Sequence, residues 1–182
     1  MSATLKEIIF LGTGTSSQLP LVPCLTAEPR TCAVCLSVAR SPDSKNRRRN
    51  TSLAVRFVDP TGTTRNVIID CGKSFYDSAL AFFPQHGIAT VDGVILTHGH
   101  ADAMMGLDDL RMWANADDDQ SSRLAVHLDA RTLAVVTSVF PYIVNSGSST
   151  GGGGVPAVDF KLIDKDTPFE VHGLKFTPLE GM

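Results

Sequence analysis

Residues 94–110, VILTHGHADAMMGLDDL, run from an apolar segment straight into two histidines and an aspartate. Successive residues of an extended chain point to opposite sides, so His98 and His100 project the same way, and Asp102 lies on the turn that follows. Two imidazoles at that spacing can grip one divalent ion such as zinc. A carboxylate beside them can bind a second ion or orient an attacking water. An ion with an open coordination position lowers the pKa of water to roughly 7 and supplies hydroxide at neutral pH. That is metal-assisted hydrolysis, with Asp102 in the catalytic role. An isolated H-x-H at a strand end would more simply be a surface turn. Here the context favours a site: a strand before it, Gly106 three residues past Ala103, and LDDLR after.

Two further groups could do chemistry. Cys32 and Cys35, in TCAVC, have the spacing of a zinc knuckle, and Cys24 lies eight residues upstream of Cys32. Structural metal, small buried thiols and a redox pair all fit that spacing, although EPRTCAVCLS gives little support for the strand-then-helix setting of a redox motif. Cys71, after Asp70 at a strand end, reads as a packed thiol. The run KNRRR at 45–49 is the one cationic cluster of an acidic chain. It is either a solvated loop or, through Arg48 and Arg49, a contact for phosphate oxygens, which guanidinium forks match. His127 in mid-strand and His172 in a turn have no context that supports ligation, and His86 suits the end of a helix as a cation. Asp108 and Asp109 fit a helix N-terminus, and the acidic run ADDDQ at 116–120 reads as a solvated loop.

These groups need elements to hold them. KEIIFLGTGTSS predicts a short buried strand entering a glycine-rich turn, and TSLAVRFVD and RNVIIDCG two strands reversed by PTGTT. SFYDSALAFFPQHG predicts a helix with Ser74 as N-cap and Gly87 past its end. VDGVILT predicts a strand buried on both faces, and Leu107 to Trp113 a helix with an acidic first turn. RLAVHLD predicts a strand, ARTLAVVTSVFPYIV a helix ended or bent at Pro141, and VDFKLID a strand. PFEVHGLKFTPL predicts a hairpin around His172 and Gly173. The segment of about 145–154, NSGSSTGGGG, reads as a flexible loop. Strands in runs interleaved with helices predict an α/β layered fold with a mixed sheet.

The totals bound the answer. A chain of 182 residues with 43% hydrophobic and 19% charged residues suits one globular domain, or most of a larger one. A formal charge of −3 argues against a general polyanion binder. No segment approaches the ~20 apolar residues that span a bilayer, so no membrane partner is expected. Four cysteines after an N-terminus unlike a signal peptide suggest a reducing, cytoplasmic setting.

LTHGHADA, preceded by IIDCG and by FLGTGTSS, resembles the metallo-β-lactamase superfamily, where a strand-end THxHxDH supplies the first metal ligands. GTGTSSQ, the cysteines, NRRRNTS and GLDDLR are similar to the branch that holds phosphoribosyl cyclic-phosphate phosphodiesterases and relatives of the tRNA 3′-end endonucleases. The resemblance covers nearly the whole chain. It implies an αβ/βα sandwich, zinc as cofactor (manganese as the alternative), and hydrolysis of a small phosphodiester or nucleotide-like substrate, with RNA as a larger one and a homodimer as an option. It also implies that His98 and His100 bind the first metal and Asp102 the second, and that Asp70 buttresses the site. Gly12 and Gly14 would form the tight loop near the cleft, and Cys24, Cys32 and Cys35 would hold a structural zinc. Ala103 replaces the motif's last histidine, removing one imidazole from the second metal. The family draws its remaining ligands from C-terminal segments, and FTPLEGM resembles the strand leading to the first of them. A single domain lacking its C-terminal part is therefore expected. A non-catalytic chain keeping the first half of the fold and a zinc-stabilised nucleic-acid-binding module are the competing functions.

Overall fold

A computed structural model describes residues 2–41, 43–114, 123–145 and 154–179. The acidic run at 116–120, the interior of the glycine-rich segment and residues 180–182 lie outside the described residues. Six strands form one mixed sheet in the order β1-β2-β3-β4-β5-β6. Strands β1 (Thr4–Gly12), β2 (Ser52–Val58) and β3 (Thr64–Ile69) make an antiparallel meander. From β3 onward the pairing is parallel, through β4 (Gly93–Ile95), β5 (Leu124–Leu128) and β6 (Val158–Leu162). Parallel neighbours need crossovers. These carry α3 (Phe75–His86), then α4 (Ala101–Met104) and a 3₁₀ helix (Leu107–Met112), then α5 (Ala130–Val139) and α6 (Pro141–Val144). Two short helices, α1 (Val22–Thr26) and α2 (Ala33–Arg40), precede β2. The expected α/β class with a mixed sheet is what forms.

The sheet's two faces are covered unequally. Ile9, Leu11, Ala54, Ile68, Val94 and Val126 join Phe75, Ala79, Phe83, Leu107, Leu110 and Val136 from the crossover helices in the main core. Phe75, Phe83 and Trp113 meet edge-on or tilted within it, with centroids 5.4–6.2 Å apart. On the other face the hairpin β7 (Phe169–Val171) and β8 (Leu174–Phe176) places Val171 against Val55, Phe57, Val67 and Ile95. The hairpin forms where His172 and Gly173, both at positive φ, make the turn.

Three expectations need correction. β1 is not a buried strand: it is the sheet's edge, and Ile8 (50% exposed) and Phe10 (62%) alternate with buried Ile9 and Leu11 because the hairpin core centres on β2 to β4. Ser74 occupies the N-cap position of α3, but its hydroxyl caps nothing there; it accepts the N–H of Asn50 at 2.9 Å. The segment after the histidines is an α turn followed by a 3₁₀ turn. Gly106 separates them, because its N–H donates to Cys71 O (2.8 Å) and its Cα packs where a Cβ would lie 2.7 Å from Phe75 Cβ. Gly87 does end α3 in the left-handed conformation, and Pro141 does separate α5 from α6. No helix among the described residues is long and apolar enough to cross a membrane.

Candidate metal centre

The parallel register β3–β4 sets the site. Ile69 pairs with Ile95, so the residues just past each strand, Asp70 and the segment from Leu96 to His100, emerge side by side at the C-terminal ends of these central strands. Asp70 then turns into the left-handed region (φ 61°), a conformation Asp tolerates better than most residues, while its N–H donates to Ile95 O at 2.9 Å. Its carboxylate accepts two hydrogen bonds from one residue: Thr97 N at 2.8 Å and Thr97 Oγ1 at 2.7 Å. Thr97 Oγ1 lies 2.9 Å from His98 Nδ1. A hydroxyl has one proton. With Asp70 ionised and holding that proton, the Thr97 oxygen can only accept from His98, so Nδ1 carries the imidazole hydrogen and Nε2 presents its lone pair.

His98, His100 and Asp102 each offer a ligand atom, and these atoms lie within 4.8 Å of one another. The two imidazoles meet edge-on, centroids 4.8 Å apart, and both are exposed. Asp102 is fixed from behind: a Cβ on Gly72 would stand 1.7 Å from Asp102 O, so only glycine lets the 70–74 segment pass. Cys71 N donates to the carbonyl of Ala103 (2.8 Å), whose methyl is buried. Burial raises the pKa of Asp70 and the Asp102 charge adds to the rise; the two Thr97 hydrogen bonds and His98 oppose it. A buttressing carboxylate, two imidazoles in edge-on contact and an acidic neighbour are a donor set that suits a divalent ion with open positions.

The sequence-predicted residues thus come together in part. His98, His100 and Asp102 cluster, with Asp70 behind them. No motif assigns roles to Thr97 and Gly72; the signals for them are the hydroxyl before the first histidine in THGH and the glycine in DCG. His127 is elsewhere, stacked on Phe169 (5.2 Å) on the hairpin face, and His172 Nε2 lies 2.9 Å from Asp92 O. Gly12 and Gly14 approach the arginine run: a Cβ on Gly12 would lie 1.9 Å from Asn50 O, and one on Gly14 2.7 Å from Arg48 Cβ. Arg48 donates to the carbonyls of Lys45 and Arg47, while the Arg49 guanidinium stands 5.7 Å over the Phe82 ring.

A second cluster joins Cys24, Cys32 and Cys35, whose sulfurs also lie within 4.8 Å of one another. The C-x-x-C opens a helix, with Cys32 as the N-cap of α2 and Cys35 buried in its first turn, but α2 follows helix α1 and not the strand of a redox motif. The Cys35 N–H and thiol hold the Cys32 pKa down, whereas hydrogen bonding to Cys35, burial and Cys32 push Cys24 up to about 11. Three soft sulfurs in one place are three quarters of a tetrahedral zinc site. Cys71 is fully buried, which raises its thiol pKa, and takes no part.

The beta-lactamase superfamily domain matches residues 65–181, more than half the chain and the stretch that holds Asp70, Thr97, His98, His100 and Asp102. The chain belongs to the metallo-β-lactamase superfamily. A diphosphatase from the PhnP family superposes with a TM-score of 0.68 at 30% identity, over 97% of this chain and 56% of that one. Zinc-bound PqqB from Methylobacterium extorquens superposes at 0.66 with 22% identity, over 95% and 55%, a likeness of fold. A Porphyromonas gingivalis (strain ATCC BAA-308 / W83) protein named octanoyltransferase is 32% identical over 176 residues, which are 96% of this chain and 30% of that one. The chain therefore spans about half the length of these solved relatives and less than a third of the sequence relative.

Proposed function

We propose that this superfamily chain contributes to a metal-dependent hydrolase that cleaves phosphoesters. One observation carries the reading: ligand atoms of His98, His100 and Asp102 lie within 4.8 Å of one another while Thr97, held by Asp70, engages His98 Nδ1 and leaves Nε2 for an ion. His98, His100 and Asp102 would hold the ion, zinc first and manganese second. When bound, the ion polarises a phosphoryl oxygen and acidifies water. The protein's own part is orientation. Asp70 and Thr97 fix the His98 tautomer, Gly72 fixes the height of the Asp102 backbone, and Asp102 accepts a proton from, or aligns, the attacking water. Three donors leave positions open for substrate. Cys24, Cys32 and Cys35 would hold a structural zinc away from the reaction, and free thiols at these positions suit a reducing, cytoplasmic setting.

The similarity to a diphosphatase supports a phosphorus ester or anhydride as substrate class, a small phosphodiester or nucleotide before RNA. Metal content and hydrolysis of bis(p-nitrophenyl) phosphate test the reading on the chain as it stands. Metal bound at the histidines with turnover that His98→Ala/His100→Ala abolishes is the expected result. Equal metal content and turnover in that double variant, or no turnover by a metal-loaded wild type, rejects it.

A further inference from the structure

The arginine run is not the loosely solvated loop that its composition suggests. Residues 14–19 are clamped against it: Gly14 N donates to Arg49 O (2.7 Å), Leu19 N to Arg48 O (2.9 Å), and Arg48 N to Leu19 O (3.2 Å). Asn50 Nδ2 reaches the carbonyls of Thr15 and Ser16 (3.2 Å each), and Thr51 Oγ1 donates to Gly14 O (2.9 Å). The close approach at Gly14 is what the glycine-rich turn makes room for. Arg48 and Arg49 are half-buried in consequence, and neither forms a salt bridge among the described residues.

These arginines line an open pocket of about 340 Å³ with Gln18, Leu19 and, from α3, Asp77 and Leu80. Asp77 is the one carboxylate of the lining, against the half-buried guanidinium groups of Arg48 and Arg49. Rigid, partly desolvated like charges repel one another, and they are stabilised by a ligand that brings negative charge. Leu80, 64% exposed, and Leu19 add an apolar wall. The pocket excludes His98, His100 and Asp102 but lies toward the same end of the strands, where β2 begins and β3 ends. Asn50 N donates to Ser74 Oγ, and the 70–74 segment then packs on Asp102 at Gly72.

We infer that this pocket is a separate phosphoryl-binding subsite, taking the phosphate of a nucleotide on Arg48 and Arg49 with the nucleoside against Leu19 and Leu80. For its link to substrate the inference rests on the phosphoester reading. The binding itself does not require hydrolysis.

Calorimetric titration of the whole chain with AMP, with adenosine as the uncharged control, tests it. AMP binds saturably and more weakly as salt rises, and adenosine fails to compete. Arg48→Ala/Arg49→Ala weakens AMP about tenfold or more. Leu80→Glu, at an exposed position that leaves the fold intact, also weakens it, and Asp77→Asn strengthens it. His98→Ala/His100→Ala leaves AMP binding unchanged while it removes turnover, which separates the subsite from the metal centre. No saturable AMP binding, equal binding of adenosine, or binding indifferent to both the arginine and Leu80→Glu changes would overturn the inference. Loss of AMP binding only in the histidine variant would overturn it too, and would leave the hydrolase reading standing.

Discussion

Thr97 stands between Asp70 and His98, 2.7 Å from the carboxylate and 2.9 Å from Nδ1, and its hydroxyl can donate to only one of them. That single proton links a buried charge to the orientation of an exposed ligand. Removing the hydroxyl (Thr97→Val) deprives Asp70 of one of two donors and frees the His98 ring to rotate. Metal affinity at the histidines should fall about 10- to 100-fold, and stability by about 1–3 kcal/mol as a buried acceptor loses its partner. Thr97→Ser should restore most of both. Metal titration and urea unfolding of the three proteins check this; equal metal affinity in Thr97→Val would rule out the orienting role.

Gly72 is expected to tolerate no side chain. Its added Cβ would meet backbone, 1.7 Å from Asp102 O, and backbone cannot rotate away. Gly72→Ala should cost about 3 kcal/mol or more and displace Asp102, so metal binding falls with stability. Gly87→Ala is the control: nothing lies within 4 Å of its added Cβ, and only the left-handed φ of 60° penalises it, by about 1 kcal/mol. Melting curves of the two variants should differ accordingly.

The cysteine cluster should make stability depend on zinc. Chelation is expected to lower the melting temperature by several degrees, and Cys24→Ser, Cys32→Ser or Cys35→Ser to shrink the chelator's effect to what the histidine site alone contributes. Zinc must displace thiol protons, the Cys24 proton above all because its pKa is pushed up to about 11. Affinity should therefore rise with pH, measured by competition with a chromogenic chelator. A melting temperature indifferent to chelator would leave the three sulfurs as packed thiols.

His127 predicts a pH dependence with a definite sign. Burial, then Lys161 and His172, lower its pKa below the ordinary value of roughly 6.5. It is stacked on Phe169, which stacks in turn on Phe176 (5.7 Å). Below that ordinary value the unfolded chain binds the proton more readily than the folded one. The contribution is thus complete above about pH 6.5 and is lost as pH falls toward the folded value. Urea unfolding at pH 8 and pH 5 should show a smaller drop for His127→Phe than for the wild type; equal drops would remove the histidine from the account.

How much of this could be read beforehand follows from the reach of each contact. His98, His100 and Asp102 are legible because five consecutive residues at a strand end place them. Asp70 was legible only through its resemblance to a motif. Thr97 was not, since its partners are fixed by the register of β3 against β4. The rigidity of Arg48 and Arg49 depends on residues some 30 positions upstream, and no local pattern announces it. Helices α1 and α2 leave little local signal because they are five and eight residues long, and α1 buries no side chain. The exposed face of β1 has the same apolar composition as a buried strand, and only its place at the sheet edge distinguishes the two.

The switch from antiparallel to parallel pairing at β3 also sets an order in time. β1, β2 and β3 pair as neighbours, and the β2–β3 reversal spans only a short turn. Asp70 and Thr97 meet only after the chain has crossed over through α3 and docked β4, a slower, long-range closure. An ion at the histidines grips a contact that forms late, so it should retard unfolding far more than it hastens folding. Stopped-flow unfolding with and without zinc, in a variant lacking the three clustered cysteines, would register that asymmetry as a lengthened lifetime of the folded chain.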